Sequence, residues 1–249
     1  MKSKLTVLLL MAAVAVTAAC SSHHETTTAG GQTVYGDKAA SIERLRTAAD
    51  DLQKLMNAPD AGAPKEVLES AKCVAIVPDM VKGGFVIGGN HGRGVATCRT
   101  GNGWSAPAFF TLSGGSWGAQ IGLESVDLVM LIMNDKGMQD LLSSNFKLGA
   151  EAGLSAGPVG REAQASTDWK LKSEVLTYSR SRGLFAGVSL EGSTLRPDNR
   201  ASEKLYGRKI TVKEILRERK AGVPASGQQM VALLNKHSPK NLSDPKSLQ

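Results

Sequence analysis

Residues 41–56 show the alternation of apolar and polar positions that is typical of an amphipathic helix. Apolar side chains recur at intervals of three and four, at Ile42, Leu45, Ala48, Ala49, Leu52, Leu55 and Met56. The opposite face carries charges of both signs, at Glu43, Arg44, Arg46, Asp50, Asp51 and Lys54. Mixed charge favours packing on the body of the protein over lying in a bilayer, and the sequence leaves both open.

After Cys73 the pattern changes to short apolar or β-branched runs separated by glycine and proline. The first six runs are Cys73–Val77, Phe85–Gly89, Val95–Arg99, Ala108–Leu112, Trp117–Leu123 and Val126–Met133. A second set follows at Ala150–Ala156, Glu162–Trp169, Glu174–Ser179 and Leu184–Glu191. This punctuation predicts antiparallel strands joined by tight turns, because no long helical pattern separates the runs.

Helix signals surround the predicted strands. Pro64 predicts the first turn of a short helix to Ala71, and Asn134 or Asp135 is placed to cap another. Thr211 and Glu214 have the spacing of a capping box that opens a helix to about Lys220, and Ser226 is placed to cap a last helix. The pattern predicts an α+β fold: a mainly antiparallel, glycine-rich, barrel-like sheet flanked by an N-terminal amphipathic helix and C-terminal helices.

The composition is that of a globular protein. Of the 249 residues, 41% are hydrophobic and 21% are charged, which excludes a wholly disordered chain and a protein with many membrane spans. No clean linker interrupts the pattern between Ser41 and His237. We therefore predict one domain over residues 37–237, followed by a loose polar tail over 238–249.

The N-terminus has the parts of a secretory signal peptide. Lys2 and Lys4 precede an apolar stretch from Leu5 to Ala19, which is shorter than the ~20 residues of a membrane span. The residues up to Cys20 resemble a bacterial lipobox, which implies removal of residues 1–19 and lipidation of the Cys20 thiol. Ordinary secretion with a free Cys20 is the alternative.

Residues 20–36 are rich in Ser, Thr and Gly and predict a flexible tether. The residue after Cys20 is Ser21 and not aspartate, and this resembles the bacterial signal for delivery to the outer membrane. The expected location is therefore the bacterial cell envelope, with the chain lipid-anchored at the outer membrane and facing the periplasm. His23 and His24 lack the fixed geometry of a metal site, and no metal or cofactor is expected.

Cys73 and Cys98 are the two cysteines that remain in the body after cleavage. In an oxidising compartment, an isolated pair favours a disulfide over a metal site or a nucleophile. Closing that loop would stabilise the fold by roughly 3 kcal/mol in the chain-entropy model. The sequence therefore predicts a Cys73–Cys98 disulfide.

The candidate catalytic residues of this sequence do not match the patterns of known catalytic sites. His91 is the one histidine in the strand-rich region, and it lies in a glycine-rich turn. Ser105 does not fit the Gly-x-Ser-x-Gly pattern, and Pro107 prevents a regular helix from following it. Residues 101–106 fit Gly-x-Gly-x-x-Ala but lack the helix that a dinucleotide site needs. We therefore predict a protein that is not an enzyme.

Positive charge is concentrated near the C-terminal end. The net charge of the chain is +7, or +5 without Lys2 and Lys4. The segment from Arg196 to Lys220 holds nine basic and four acidic residues and so carries +5 by itself. Either a solvated helix face with paired charges or a surface for anionic headgroups explains this. A nucleic-acid partner is not expected, because aromatic residues do not alternate with the charges.

Several motifs along the chain together resemble the SYLF domain family, including its bacterial lipoprotein members. They are Val81–Gly89, His91–Val95, Trp104–Pro107, Gly114–Gly122, Ala156–Arg161, Tyr178–Gly192 and Leu205–Gly207. The resemblance implies a non-enzymatic phospholipid-binding domain, with actin binding in the yeast branch. For an exported chain it implies an anionic phospholipid membrane as partner, and actin is not expected.

The basic face is predicted from residues of the C-terminal part of the domain. Its candidate contacts with phospholipid are Arg180, Arg182, Arg196, Arg208 and Lys209. The helix over 41–56 is a second candidate contact. The alternative is a structural or adaptor protein that binds a protein partner of the cell envelope at the outer membrane.

Overall fold

In the described part of the chain, two helices precede a long series of strands and three helices follow it. The computed structural model describes residues 32–58, 62–84, 87–101, 103–117, 122–149, 153–159, 173–181, 184–186 and 190–243. The helices in these ranges are α1 Gln32–Asn57, α2 Lys65–Ser70, α3 Asp135–Leu141, α4 Asn199–Tyr206, α5 Val212–Leu216 and α6 Gln228–His237. The strands are β1 Cys73–Gly84, β2 Ile87–Thr100, β3 Gly103–Trp104, β4 Ala108–Trp117, β5 Gly122–Ile132, β6 Phe146–Lys147, β7 Leu154–Ala156, β8 Val175–Ser181, β9 Leu184–Ala186 and β10 Ser193–Pro197.

The ten strands form one sheet, curled into a half-barrel. Their order is β6-β10-β4-β2-β1-β5-β8-β7, with β3 paired to β2 and β9 paired to β8. All pairs are antiparallel except β7 with β8. The α+β fold with a mainly antiparallel, barrel-like sheet between N-terminal and C-terminal helices is therefore confirmed.

Both faces of the sheet are buried, which explains the uninterrupted apolar runs in its central strands. In β1, Cys73, Ala75 and Val77 point to one face, and Val74 and Ile76 point to the other. We call the first the α5 face, because Val212, Ile215 and Leu216 pack there. The second is the α1 face, which is also covered by side chains of α2, α4 and α6.

Helix α1 covers the sheet with the apolar stripe that its sequence predicts. Leu45, Ala48, Leu52 and Leu55 are all at most 1% exposed and belong to the core of the α1 face. The helix begins at Gln32, nine residues before the predicted start. No helix among the described residues has the length and hydropathy of a membrane span.

The predicted disulfide is present and joins two neighbouring strands. Cys73 lies directly opposite Cys98 in the pairing of β1 with β2, with their Cα atoms 4.0 Å apart. Both side chains are buried in the core of the α5 face. The bond closes the hairpin at the end away from its turn, where the register already brings the two residues together.

A hydrogen bond between the side chains of β2 and β10 crosses β4 at Gly114, and this crossing requires a glycine. The Asn90 side chain in β2 donates a hydrogen bond to Ser193 Oγ in β10, over a distance of 2.8 Å. Gly114 is the register partner of both residues. A Cβ there would lie 2.7 Å from Ser193 Oγ. The bridge therefore needs a residue without a side chain between its ends.

The predicted caps are found at two of three helices. Asn134 accepts a hydrogen bond from the Gly137 backbone, and Thr211 and Glu214 form the capping box of α5. Helix α5 ends at Leu216, earlier than predicted. The last helix begins at Gln228, after a 3₁₀ turn at Ala225–Gly227, and Ser226 does not cap it.

The end of the described chain makes contacts with the body. Arg99 donates a hydrogen bond of 2.8 Å to the Ser238 carbonyl, and its guanidinium lies 4.2 Å from the centre of the Trp104 ring. Leu242 donates its N–H to the Glu69 carbonyl at 2.9 Å. Residues 238–243 of the predicted tail thus pack against β2 and α2. The predicted signal peptide, Cys20, most of the tether, the run 162–169 and Arg182 lie outside the described residues.

Candidate functional site

The predicted basic contacts are distributed over separate parts of the surface. Arg180 lies on β8 and Arg196 on β10, with β5, β1, β2 and β4 between these strands. Arg208 and Lys209 lie in the loop between α4 and α5. The structure does not bring Arg180 and Arg196 together, and their contribution to lipid contact stays a prediction.

Most of these arginines already have polar neighbours. Arg196 donates from Nε to Asn145 Oδ1 at 3.1 Å, and Arg208 donates to the Lys220 carbonyl. Arg180 is half-buried and lies opposite Asp127 in the pairing of β8 with β5. Its Nε is buried and has no hydrogen-bond partner among the described residues.

Around α5 the charges of the basic segment pair with one another. Lys220 lies 3.1 Å from Glu214 and 2.8 Å from Glu218, and Lys213 lies 4.0 Å from Glu218. The pKa of Glu214 is lowered to about 2, first by the hydrogen bond from the Thr211 backbone and then by the Thr211 hydroxyl and Lys220. This part of the segment fits the interpretation as a solvated face with paired charges.

A tighter group of cations lies where α1 crosses α4 and β2. Arg44, Arg93, Arg200 and Lys204 line a small cavity of about 140 Å³, which we call the basic pocket. One face of α1 contributes Asp37, Ala40, Ser41 and Arg44, spaced by three and four residues, and one face of α4 contributes Arg200, Ala201 and Lys204. The remaining residues that line it are Arg93 of β2 and Asp198, which caps α4.

Arg44 is the most buried of the four cations in the basic pocket. Its side chain is 10% exposed, and its guanidinium lies 5.2 Å from the centre of the Phe109 ring. Its Nη1 lies 3.4 Å from Asp198 Oδ2, while Asp198 Oδ1 accepts from the Ala201 N–H. Burial, with a contribution from nearby Arg93, lowers the pKa of Arg44 below its usual value, although the group remains a cation.

Asp37 supplies a carboxylate to the same pocket. Its Oδ2 lies 3.2 Å from Arg200 Nη2 and also accepts from Lys204 Nζ. The Lys204 hydrogen bond, followed by the positive charges of Lys204 and Arg200, lowers the pKa of Asp37. With four cations and the two carboxylates of Asp37 and Asp198, the pocket has a net charge of +2. Arg93 is exposed and forms no ion pair with a described carboxylate.

A second cavity lies on the other side of α1. It has a volume of about 470 Å³, and its walls come from Ile42, Leu205, Pro224 and Ala225, among other residues. Lys38 and Arg46 of α1 also line it. Helix α1 therefore contributes cations to cavities on two of its sides.

The candidates for catalysis have structural surroundings. Ser105 Oγ accepts from the Cys98 N–H and donates to the Ala106 carbonyl, each at 3.0 Å, so its hydroxyl is used in the turn after β3. His91 lies inside strand β2, paired with Val81 and Ser113, so the glycine-rich turn expected around it was wrong. Among the described residues, no three His, Cys, Asp or Glu side chains are grouped as ligands for a metal ion.

The pocket was missed by the analysis of the sequence because its members are far apart along the chain. Arg44 was assigned to the exposed face of α1, whereas its side chain is turned toward Phe109 on the sheet. Arg200 and Lys204 were visible within the basic segment as a pair spaced by four residues on one helix. Arg93 belongs to the His91–Val95 motif, and its place in that motif was the one sequence signal for its role.

Asp51 of α1 is a buried acid, although the sequence placed it on the exposed face. It is 4% exposed, Lys54 Nζ donates to its Oδ1 at 2.9 Å, and its Oδ2 has no hydrogen-bond partner in the described structure. Burial raises its pKa to about 6, the negative charges of Asp127 and Asp79 add to this, and Lys54 opposes it.

We expect the stability that Asp51 contributes to fall as the pH rises from about 4 to about 6. The folded state holds the proton more tightly than the unfolded chain does, so ionisation in this window favours unfolding. Asp51→Asn should therefore raise the free energy of unfolding at pH 7 by roughly 2 kcal/mol, with a smaller gain at pH 4. Denaturant unfolding at several pH values measures the difference. An equal gain at every pH would contradict this account.

Comparison with known proteins gives matches over most of the domain. The family model described as "Ysc84: Las17-binding protein actin regulator" matches residues 113–237. Protein YSC84 of Saccharomyces cerevisiae is 37% identical over 179 residues, which are 70% of this chain and 38% of that protein. SH3 domain-containing YSC84-like protein 1 of Homo sapiens is 35% identical over 181 residues, or 72% of this chain and 52% of that protein.

A third relative carries a binding partner in its name. LAS seventeen-binding protein 3 of Saccharomyces cerevisiae is 36% identical over 170 residues, which are 67% of this chain and 37% of that protein. The region that matches spans between 37% and 52% of the length of these three relatives. The description of the family model refers to binding and to actin regulation, and the name of this third relative refers to binding.

Proposed function

The chain belongs to the Ysc84 family, the family of the SYLF domain, and from this premise we propose that it is a non-enzymatic binding protein of the cell envelope. In this proposal Cys20 carries the lipid anchor at the outer membrane, and the domain faces the periplasm and binds the anionic headgroups of phospholipids. The observation that carries it is the basic pocket, where four cations meet two carboxylates beside the first described residues of the chain.

The position of the pocket relative to the proposed anchor supports the assignment. Eleven residues separate Cys20 from the start of α1 at Gln32, and a tether of that length, if flexible as its composition predicts, would have an end-to-end distance of about 18 Å. The cations around the start of α1 would therefore stay close to the membrane surface. Because tethering raises the effective concentration, about 1 kcal/mol for each well-placed Lys or Arg is enough to orient the domain.

The disulfide supports the proposed compartment. Such bonds form and persist in oxidising environments, including the bacterial periplasm, and are rare in the cytosol. Cys73 and Cys98 are joined within a buried sheet, where the bond has a structural role. An exported domain is the simplest context for it.

Vesicle sedimentation tests the proposal. We expect the chain from Ser21 onward, which has no anchor, to bind phosphatidylglycerol-containing vesicles about tenfold more strongly than phosphatidylcholine vesicles. This preference should weaken as salt is added, because salt screens the attraction between charges. Binding that ignores both lipid charge and salt would rule out headgroup recognition.

A protein partner is the second candidate, and the descriptions of the relatives favour it. The matching family model names Las17 binding, and one relative is named for binding LAS seventeen. By analogy, the domain would hold another envelope protein at the outer membrane. An envelope protein that copurifies at a fixed ratio with the anchored chain, together with the absence of any preference for anionic vesicles, would favour this function.

A further inference from the structure

We propose that the basic pocket is a binding site for one phosphate group and that Asp37 occupies it as an internal competitor. The bound phosphate would contact Arg93, Arg200 and Lys204, with Arg44 beneath it. The proposal deepens the proposed function, on which it rests for the source of the phosphate, by assigning the headgroup to particular side chains.

The first argument is the charge inside the cavity. Two carboxylates face four cations, and Arg93 is left without a carboxylate partner among the residues that the structure describes. Like charges gathered in one cavity repel each other, and an anion that contacts several of them relieves the repulsion. Arginine is suited to this role, because its planar fork of donors matches phosphate oxygens.

The second argument is that part of the pocket is already organised for an anion. Arg44 is fixed by Phe109 and Asp198, so its charge is positioned without further ordering of its side chain. A single carboxylate oxygen of Asp37, Oδ2, forms ion pairs with both Arg200 and Lys204. A phosphate group offers more oxygens and more charge than that carboxylate, and it can therefore bind the same two cations together with Arg93.

The third argument is the weakness of the contact that must be displaced. The Asp37 side chain is 46% exposed, and its partners Arg200 and Lys204 are 77% and 17% exposed. The exposed pair with Arg200 contributes little to stability, and Lys204, the more buried partner, would keep an anion beside it when phosphate replaces the carboxylate. Since Asp37 lies near the start of α1, its release would loosen the part of the helix closest to the tether.

The size of the cavity limits the ligand. Its volume of about 140 Å³ lies well below the roughly 300 Å³ at which pockets for whole drug-sized ligands begin. One tetrahedral anion is therefore the fitting occupant, with the rest of any larger molecule outside the pocket. A lipid headgroup and free phosphate share this chemistry, and the experiment must separate them.

Calorimetric titration of the chain from Ser21 onward with inorganic phosphate tests the site directly. Asp37→Asn should strengthen phosphate binding about fivefold, and Arg93→Gln and Arg200→Gln should each weaken it about fivefold. Arg46→Gln is the matched control, because it removes the same charge from α1 on the side of the larger cavity. An unchanged melting temperature in all variants would establish that they are folded.

The outcomes separate this inference from the function on which it rests. Equal weakening by Arg46→Gln and Arg93→Gln, or no phosphate binding even in Asp37→Asn, would overturn the site. Phosphatidylglycerol vesicles should rank the variants in the same order. Vesicle binding that ignores the pocket variants, with phosphate binding that ignores them too, would refute the site and leave the proposed function standing. Phosphate binding in this order without vesicle binding would support the site with free phosphate as its ligand and reject the lipid.

Discussion

Breaking the Cys73–Cys98 bond is expected to lower the free energy of unfolding by about 3 kcal/mol, which for a domain of this size lowers the melting temperature by about 6–12 °C. The bond closes a loop with a sequence separation of 25 residues, so its loss frees many conformations of the unfolded chain. Cys73→Ala together with Cys98→Ala should reproduce the effect of a reductant, because both side chains are buried in apolar surroundings.

The double alanine variant also serves as its own control. From Ser21 onward the chain has no other cysteine, so a reductant should not alter the melting temperature of that variant. Thermal unfolding with and without reductant gives both values. If reduction frees both thiols and the melting temperature of the unmodified protein is unchanged, the sheet alone holds the two residues and the expected contribution is wrong.

Gly94→Ala is expected to cost about 3 kcal/mol of unfolding free energy. Gly94 lies in β2, and a Cβ at this position would stand 2.5 Å from the Ile76 carbonyl oxygen and 2.8 Å from Val77 Cγ2. The carbonyl belongs to the backbone of β1, so it cannot move aside as a side chain does. Separation of the two central strands would be required to admit one methyl group.

Gly101→Ala is the matched control for this substitution. No atom lies within 4 Å of the position that its Cβ would take, and the residue is in an exposed turn. The change should leave stability within about 0.5 kcal/mol or increase it slightly, because alanine restricts the unfolded chain more than glycine does. Denaturant unfolding of both variants compares them. Equal stabilities would mean that β1 and β2 separate at little cost.

Periodicity predicted most elements of this fold, but its turn signals were wrong inside two strands: Ile87–Gly89 and Val95–Arg99 lie in the single strand β2, and β4 runs through Gly114 and Gly115. The strand run after Cys73, the stripe of Leu45 and Leu52 and the capping box at Thr211 all depend on neighbours along the chain, and the structure has each of them. The pairing of Cys73 with Cys98 followed from the small number of cysteines. Such signals depend on neighbouring residues or on the number of residues of one type, and both can be read from a single sequence.

The distribution of the basic residues could not be predicted in the same way. The segment from Arg196 to Lys220 was treated as one surface, but its two helices pack on different faces of the sheet. Ala201 and Leu205 of α4 belong to the α1 face, whereas Ile215 of α5 belongs to the α5 face. The chain passes from one face to the other between them, and no local pattern indicates such a crossing.

Arg44 and Asp51 show the limit of helical periodicity. Both are polar residues and were assigned to the outside of α1, yet their side chains are 10% and 3% exposed. Arg44 has the Phe109 ring and Asp198 as compensating partners, and these residues lie 65 and 154 positions away. Burial of a charge depends on partners of this kind, which only the folded chain brings together.

The order of the first elements determines how an anchored chain responds to a pulling force. Tension applied through the N-terminus reaches α1 first, where exposed ion pairs at Asp37 and the packing of Leu45 and Leu52 resist it. The next long element is β1, whose first residue, Cys73, is covalently joined to β2. Force can therefore peel α1 from the sheet, but it cannot separate β1 from β2 while the sulfur–sulfur bond holds. Because tension that reaches Cys73 passes through the bond to Cys98, the disulfide shields the hairpin between these two residues from the force.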